Sequence, residues 1–179
     1  MNLFAHIARL ARRFRRREDG TATIEFVILF PAIMTLFFSS VEVGIFLTRS
    51  VMLDRALDLN VRALRLGALN PATHDELKRR ICEDALIFKD CPNAVLIELT
   101  PISRSAWNLP SGNLKCVNRS EDIQPAVEFN TGAENEIMLV RACAVLNPFF
   151  GSTRMVMGVP LDDSGGMVIS SASTFVNEP

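Results

Sequence analysis

Histidine is almost absent from this chain, with only His6 and His74 among 179 residues. There is also no Ser/His/Asp set, no glycine-rich phosphate loop and no clustered carboxylate motif, so no enzymatic activity is expected. Cysteine is scarce. Cys82, Cys91, Cys116 and Cys143 form no C-x-x-C pair, so neither a metal site nor another cofactor is expected. No internal repeat or low-complexity tract is visible. Residues 24–48 contain no Lys, Arg or Asp, and only Glu25 and Glu42 interrupt a run of apolar and small residues. No basic stripe with interleaved aromatics follows the N-terminal arginines, which argues against nucleic acid as a partner.

The features that are present begin with those arginines. Arg9, Arg12, Arg13, Arg15, Arg16 and Arg17 form a cationic block that does not cross a bilayer cheaply and so stays cytoplasmic. The apolar run after it, about 25 residues at ~1.5 Å rise each, is long enough for a ~30 Å hydrocarbon core with some tilt. The reading is a single-pass membrane protein anchored with its N-terminus in the cytoplasm and its C-terminal domain on the other side, with membrane lipid as a partner. The formal charge of −1 conceals an asymmetry. Residues 1–20 hold six arginines against Glu18 and Asp19, so the chain without them is net acidic by about five charges.

Beyond the membrane the helix is expected to continue, because Leu53, Leu57, Val61, Leu64 and Ala68 recur at helical steps opposite Asp54, Arg55, Asp58, Arg62 and Arg65. It should stop near residues 67–71. Thr73-His-Asp-Glu76 reads as a capping box opening a second helix with Leu77, Ile81, Ala85 and Phe88 on one face, closed by Cys91-Pro92. Strand patterns occupy residues 94–99, 136–146 and 167–176. Residues 100–124 read as a loop region with Trp107 as packing anchor. Pro148-Phe-Phe-Gly151 and residues 155–159 are unusually apolar for a loop, tucked against the sheet or, if exposed, a partner surface. The fold class is therefore α+β: a long N-terminal membrane-spanning helix continuing into a small exported domain, with a second helix and a three- to four-stranded antiparallel sheet. Cys82 and Cys91 would stand ~13 Å apart on an unbroken helix, beyond the ~4.4 to 6.8 Å of a disulfide, so their pairing requires the helix to end near residues 86–88 and fold back.

Gly20-Thr-Ala-Thr-Ile-Glu25-Phe26 stands between the arginines and the apolar run. This layout resembles a type IV prepilin, whose leader is cut after the Gly on the cytoplasmic side. Glu42-x-Gly44, then Leu53, Ala56 and Ala63 with Arg62 and Arg65, then Gly67, resemble more narrowly the TadE-like pseudopilins of tight-adherence (Flp, type IVb) pilus systems, as does the closing Ser-Ala-Ser-Thr-Phe-Val-Asn-Glu-Pro. Thr21 and Thr23 stand where alanines are common, and Phe26 follows the Glu where the strongest pattern has Tyr.

The resemblance implies a basic leader at 1–20 removed by a prepilin peptidase between Gly20 and Thr21, a transmembrane helix at 21–48, its extension at 49–70 and an exported α+β domain at 71–179. A carboxylate at the membrane end of a helix costs about 2.5 to 3.5 kcal/mol on insertion scales. The resemblance supplies its partner, pairing Glu25 with the new α-amino group of Thr21 on the same or a neighbouring subunit. Pro31 and Gly44 would permit a kink and close approach between pilin helices, and Glu42 would snorkel outward near Arg49. Implied partners are other minor pilins, the major Flp pilin and the inner-membrane assembly platform. The implied function is that of a minor pilin or pseudopilin in pilus assembly or initiation, supporting adhesion from the membrane or from the filament. The alternative is a bitopic periplasmic scaffold or binding protein that never enters a filament. The resemblance also favours a local Cys82–Cys91 bridge, leaving Cys116 for Cys143, with the two other connectivities open.

Overall fold

The computed structural model describes residues 21–69, 71–85, 90–105, 109, 114–121, 124–150, 161–162 and 164–178. The element order is α1 (Thr21–Arg65), α2 (His74–Asp84), the one-turn α3 (Cys91–Ala94), β1 (Val95–Ile102), β2 (Ile137–Leu146) and β3 (Met167–Val176). The chain divides into two units, one ending at Val41 and the other comprising Glu42–Pro179.

In the first unit the helix is apolar on every side, and its side chains lie open: Phe26, Ile28, Ile33 and Leu36 are all more than half exposed. Hydroxyls in such a segment bond locally. Thr35 donates to the carbonyl of Pro31, Ser39 to that of Thr35 at 2.7 Å and Ser40 to that of Phe37 at 2.8 Å. Each thereby satisfies its own donor without water.

In the second unit β1, β2 and β3 form an antiparallel meander in that order. Antiparallel pairing sets Val95 opposite Ala144 and Ala144 opposite Ile169, and sets Ile97 opposite Ala142. Alternate residues therefore share one face. That face carries Val95, Ile97, Leu99, Met138, Val140, Ala142, Ala144 and Ile169 into a core with Leu53, Ala56, Leu57 and Val61 of α1 and Leu77 and Ile81 of α2. On the opposite face Glu98 and Arg141, directly paired across the strands, form a half-buried ion pair at 2.5 Å.

Three boundaries and one capping contact differ from the sequence reading, each for a local reason. Helix α1 ends at Arg65 in a Schellman turn: Ala68 N–H donates to the Ala63 carbonyl at 2.9 Å and Gly67 N–H to that of Leu64 at 3.0 Å, with Gly67 at φ 63°. The turn swings Ala68 outward and buries Leu69 instead. The capping box is half made. Thr73 Oγ1 accepts the Glu76 N–H at 3.3 Å, but the Glu76 carboxylate goes to Arg79 and Arg80. Cys91-Pro92, expected to close the second helix, opens α3, since proline lacks only the N–H that a first turn leaves unused. Finally, β1 runs on through Pro101 to Ile102, which an edge strand tolerates. The expectations for Phe88, Trp107 and residues 151 and 155–159 lie outside the described residues.

Hydrogen bonds from Arg79 and Arg80 hold the Glu76 carboxyl down at about 2, from an ordinary 4.5. A lowered folded pKa stabilises above the unfolded value and loses that stabilisation as pH falls through the folded one. Glu76→Gln should therefore lower the unfolding midpoint of the detergent-solubilised chain at neutral pH. The gap to wild type should narrow below pH 4.5 and close near pH 2. A gap constant over that range in pH-stepped unfolding would contradict the assignment.

Candidate anchoring and assembly site

The residues singled out along α1 fall into two groups. Thr21 is the first residue of the helix, Glu25 is exposed one turn later, and Phe26 stacks on Phe30 with ring centroids 5.0 Å apart. Pro31 stands inside the helix, exposed. Gly20, the other half of the expected cleavage junction, lies outside the described residues. Gly44 is exposed, and a methyl group there would meet nothing within 4 Å. Its missing side chain therefore serves no contact within this chain.

Glu42 departs from its expected position. Expected to snorkel outward near Arg49, it is fully buried. Oε1 accepts the Phe149 N–H and Oε2 the Phe150 N–H, each at 2.8 Å. The physical reason is the chain leaving β2: its first residues after the strand cross the helix at this level and cover the carboxyl. Arg49, seven residues on and so on the same helical face, donates to the Asn147 carbonyl over a long 3.4 Å. The helix thus holds residues 147–150 with an acceptor at one end and a donor at the other. Proline at 148 offers no N–H, so each amide proton of the Pro148–Phe150 turn is taken.

Two further polar contacts secure this region. Asn60, 3 % exposed, donates from Nδ2 to the Ala56 carbonyl and to Asp84 Oδ2, both at 2.8 Å, joining α1 to the end of α2. Arg119 donates to Asn147 Oδ1 at 2.6 Å and to Ser164 Oγ at 2.6 Å, beside Asp162 at 3.8 Å. A cleft of about 1040 Å³ adjoins the turn, lined by Arg49, His74, Lys78, Arg119 and Phe149 among others. Burial lowers the Lys78 ammonium pKa there.

The cysteines form two bridges. Cys82 at the end of α2 is joined to Cys91 of α3, their Cα atoms 5.6 Å apart, and Cys116 to Cys143 of β2, at 5.2 Å. The first closes a short return of the chain. The second binds the loop region to the central strand.

None of the contacts of Glu42, Asn60 or Arg119 was named from the sequence. Glu42 alone left a signal, a carboxyl in an apolar run that demands a donor. Its donors lie more than a hundred residues away in the chain, beyond the reach of any local pattern.

Most of the helix resembles TadE-like proteins. Residues 20–58 match the family of TadE-like proteins, and no curated protein and no solved structure matches the chain. The TadE-like segment takes in Gly20, Thr21, Glu25, Phe26, Pro31, Glu42 and Gly44, while the four cysteines and the whole sheet lie outside it. The apolar helix is compatible with a single membrane pass.

Each bridge should contribute roughly 2 to 4 kcal/mol, chiefly by restricting the unfolded chain. Alkylation of the membrane-extracted protein before reduction should label no thiol, and after reduction four. Cys116→Ser with Cys143→Ser should lower the unfolding free energy by that amount in denaturant titration. Unchanged stability would contradict a stabilising role for the Cys116–Cys143 bridge.

Proposed function

We propose that this chain is a minor pilin or pseudopilin of a tight-adherence (Flp) type IV pilus, acting in assembly or initiation. A prepilin peptidase removes residues 1–20 at the cytoplasmic face, and the remaining helix anchors the subunit in the inner membrane with its sheet unit in the periplasm. Other minor pilins, the major pilin and the inner-membrane assembly platform are its partners, met laterally through the helix.

The observation that carries this reading is the exposed apolar segment of α1. Phe26, Ile28, Ile33 and Leu36 lie largely exposed, which suits lipid before assembly and neighbouring helices after it. The TadE-like match over the same residues supports the choice of system. Small residues and Gly44 on such a helix let another backbone approach closely. Glu25 gives the segment its chemistry. Cleavage after Gly20 creates an α-amino group on Thr21, one helical turn away, and a carboxylate beside an ammonium is far cheaper in an apolar setting than either alone.

N-terminal sequencing of the membrane-extracted protein should begin at Thr21 when the peptidase is active, and Gly20→Leu should block processing. Glu25→Ala should insert and be cleaved as wild type, yet abolish pili and weaken co-purification with partner pilins. A wild-type N-terminus at Met1, with residues 1–20 retained, would instead favour a bitopic periplasmic scaffold that never enters a filament.

A further inference from the structure

We propose that the Pro148–Phe150 turn is a second lipid anchor: Phe149 sits in the outer interfacial layer of the bilayer, held at that level by Glu42. The proposal rests on reading α1 as membrane-spanning. It adds to that reading a contact made by the sheet unit itself.

The argument begins with distance along the helix. Glu25 and Glu42 are separated by about 26 Å at ~1.5 Å per residue, less than a ~30 Å hydrocarbon core. Val43, Ile45, Phe46 and Leu47 still follow Glu42 before the first cation at Arg49. With Glu25 at the inner boundary, Glu42 therefore stands at the outer margin of the core and not beyond it. A carboxyl there needs donors, and both of its oxygens have them from Phe149 and Phe150 at 2.8 Å. A hydrogen bond is too short to bridge two depths, so whatever level Glu42 occupies, the turn occupies as well.

The turn is built for that level. Proline 148 has no N–H, and Glu42 takes the two that follow, so no amide donor of these three residues is presented to lipid. The Phe149 ring is 67 % exposed, set edge-on to Phe150 with centroids 5.3 Å apart. An aromatic ring on a turn beside an apolar helix matches the interfacial layer, where apolar side chains of membrane-surface segments bury ~5–10 Å into the headgroup and acyl boundary. Arg49 lies two turns further along the helix, past the end of the apolar run, where a guanidinium can meet headgroup phosphates. Lipid is chosen over a protein occupant because Glu42, and with it the turn, lies within an apolar run that continues to Thr48.

The test places tryptophan at the two levels. Full-length protein is reconstituted at high lipid excess in phosphatidylcholine vesicles brominated near the headgroup end of the acyl chains. Phe149→Trp and Phe30→Trp are each read against wild type, whose Trp107 supplies the background. The expected result is a loss of roughly half of the Phe149→Trp emission, as for a ring within ~5–10 Å of the boundary. Adding Glu42→Ala should remove most of that loss and leave Phe30→Trp quenched. Full emission from Phe149→Trp beside quenched Phe30→Trp would overturn the proposal while the spanning helix stands. Full emission from both would overturn the helix reading with it. A blue shift at Phe149→Trp without quenching would seat the residue against protein and likewise overturn the proposal. Quenching that persists in Glu42→Ala would refute the role given to Glu42.

Discussion

A carboxyl group removed from water must find donors, and much of the arrangement of the sheet unit follows from where Glu42 finds them. Leaving a buried acceptor of this kind unmatched costs about 1 to 3 kcal/mol, more when it is charged. The two amides that prevent this belong to the exit of the central strand, so satisfying Glu42 ties β2 to α1 at a fixed level. Arg49 repeats the tie two turns on through Asn147, and Asn60 makes a third through Asp84. Between and around these polar contacts, Leu53, Ala56, Leu57 and Val61 supply the apolar contact with the sheet and α2. Polar contacts fix the register of the helix on the sheet, and apolar burial provides most of the attraction.

A sheet of three strands buries one face readily and the other with difficulty. Helices α1 and α2 cover the first face. The second has no helix among the described residues, and there Cys116–Cys143 and the bonds of Arg119 draw loop segments toward β2 and the turn at Asp162–Gly166. Loops have little apolar surface to contribute, so covalent and ionic links stand in for a second layer. Gly166 belongs to this economy, because a side chain there would collide with Arg119 and Val145. The same scarcity of core explains why a small unit carries two disulfides.

Much of the fold was legible because it obeys local periodicity. The stripe of Leu53, Leu57, Val61 and Leu64, the start of α2 at Thr73 and the three strands are all written at spacings of three to four or two residues. Where the reading slipped, the cause was a residue with more than one local use. Proline at 92 can end one helix or begin another, and Pro101 belongs in a loop unless its strand lies at an edge. Glu76 fits a capping box until two arginines on its own helix compete for the carboxylate.

By itself the sequence determined the alternation of a cationic block, an apolar helix and an α+β unit, because charge, hydropathy and period are properties of neighbouring residues. It also showed Glu42 as an acid interrupting an apolar run, where burial is costly unless donors meet it. Only the tertiary structure decided how that cost is met, which cysteines join, and which face of α1 carries Asn60 toward Asp84. Those outcomes depend on segments brought together across tens to more than a hundred residues. Their proximity is set by how the sheet closes on the helix, and a local pattern holds no record of it.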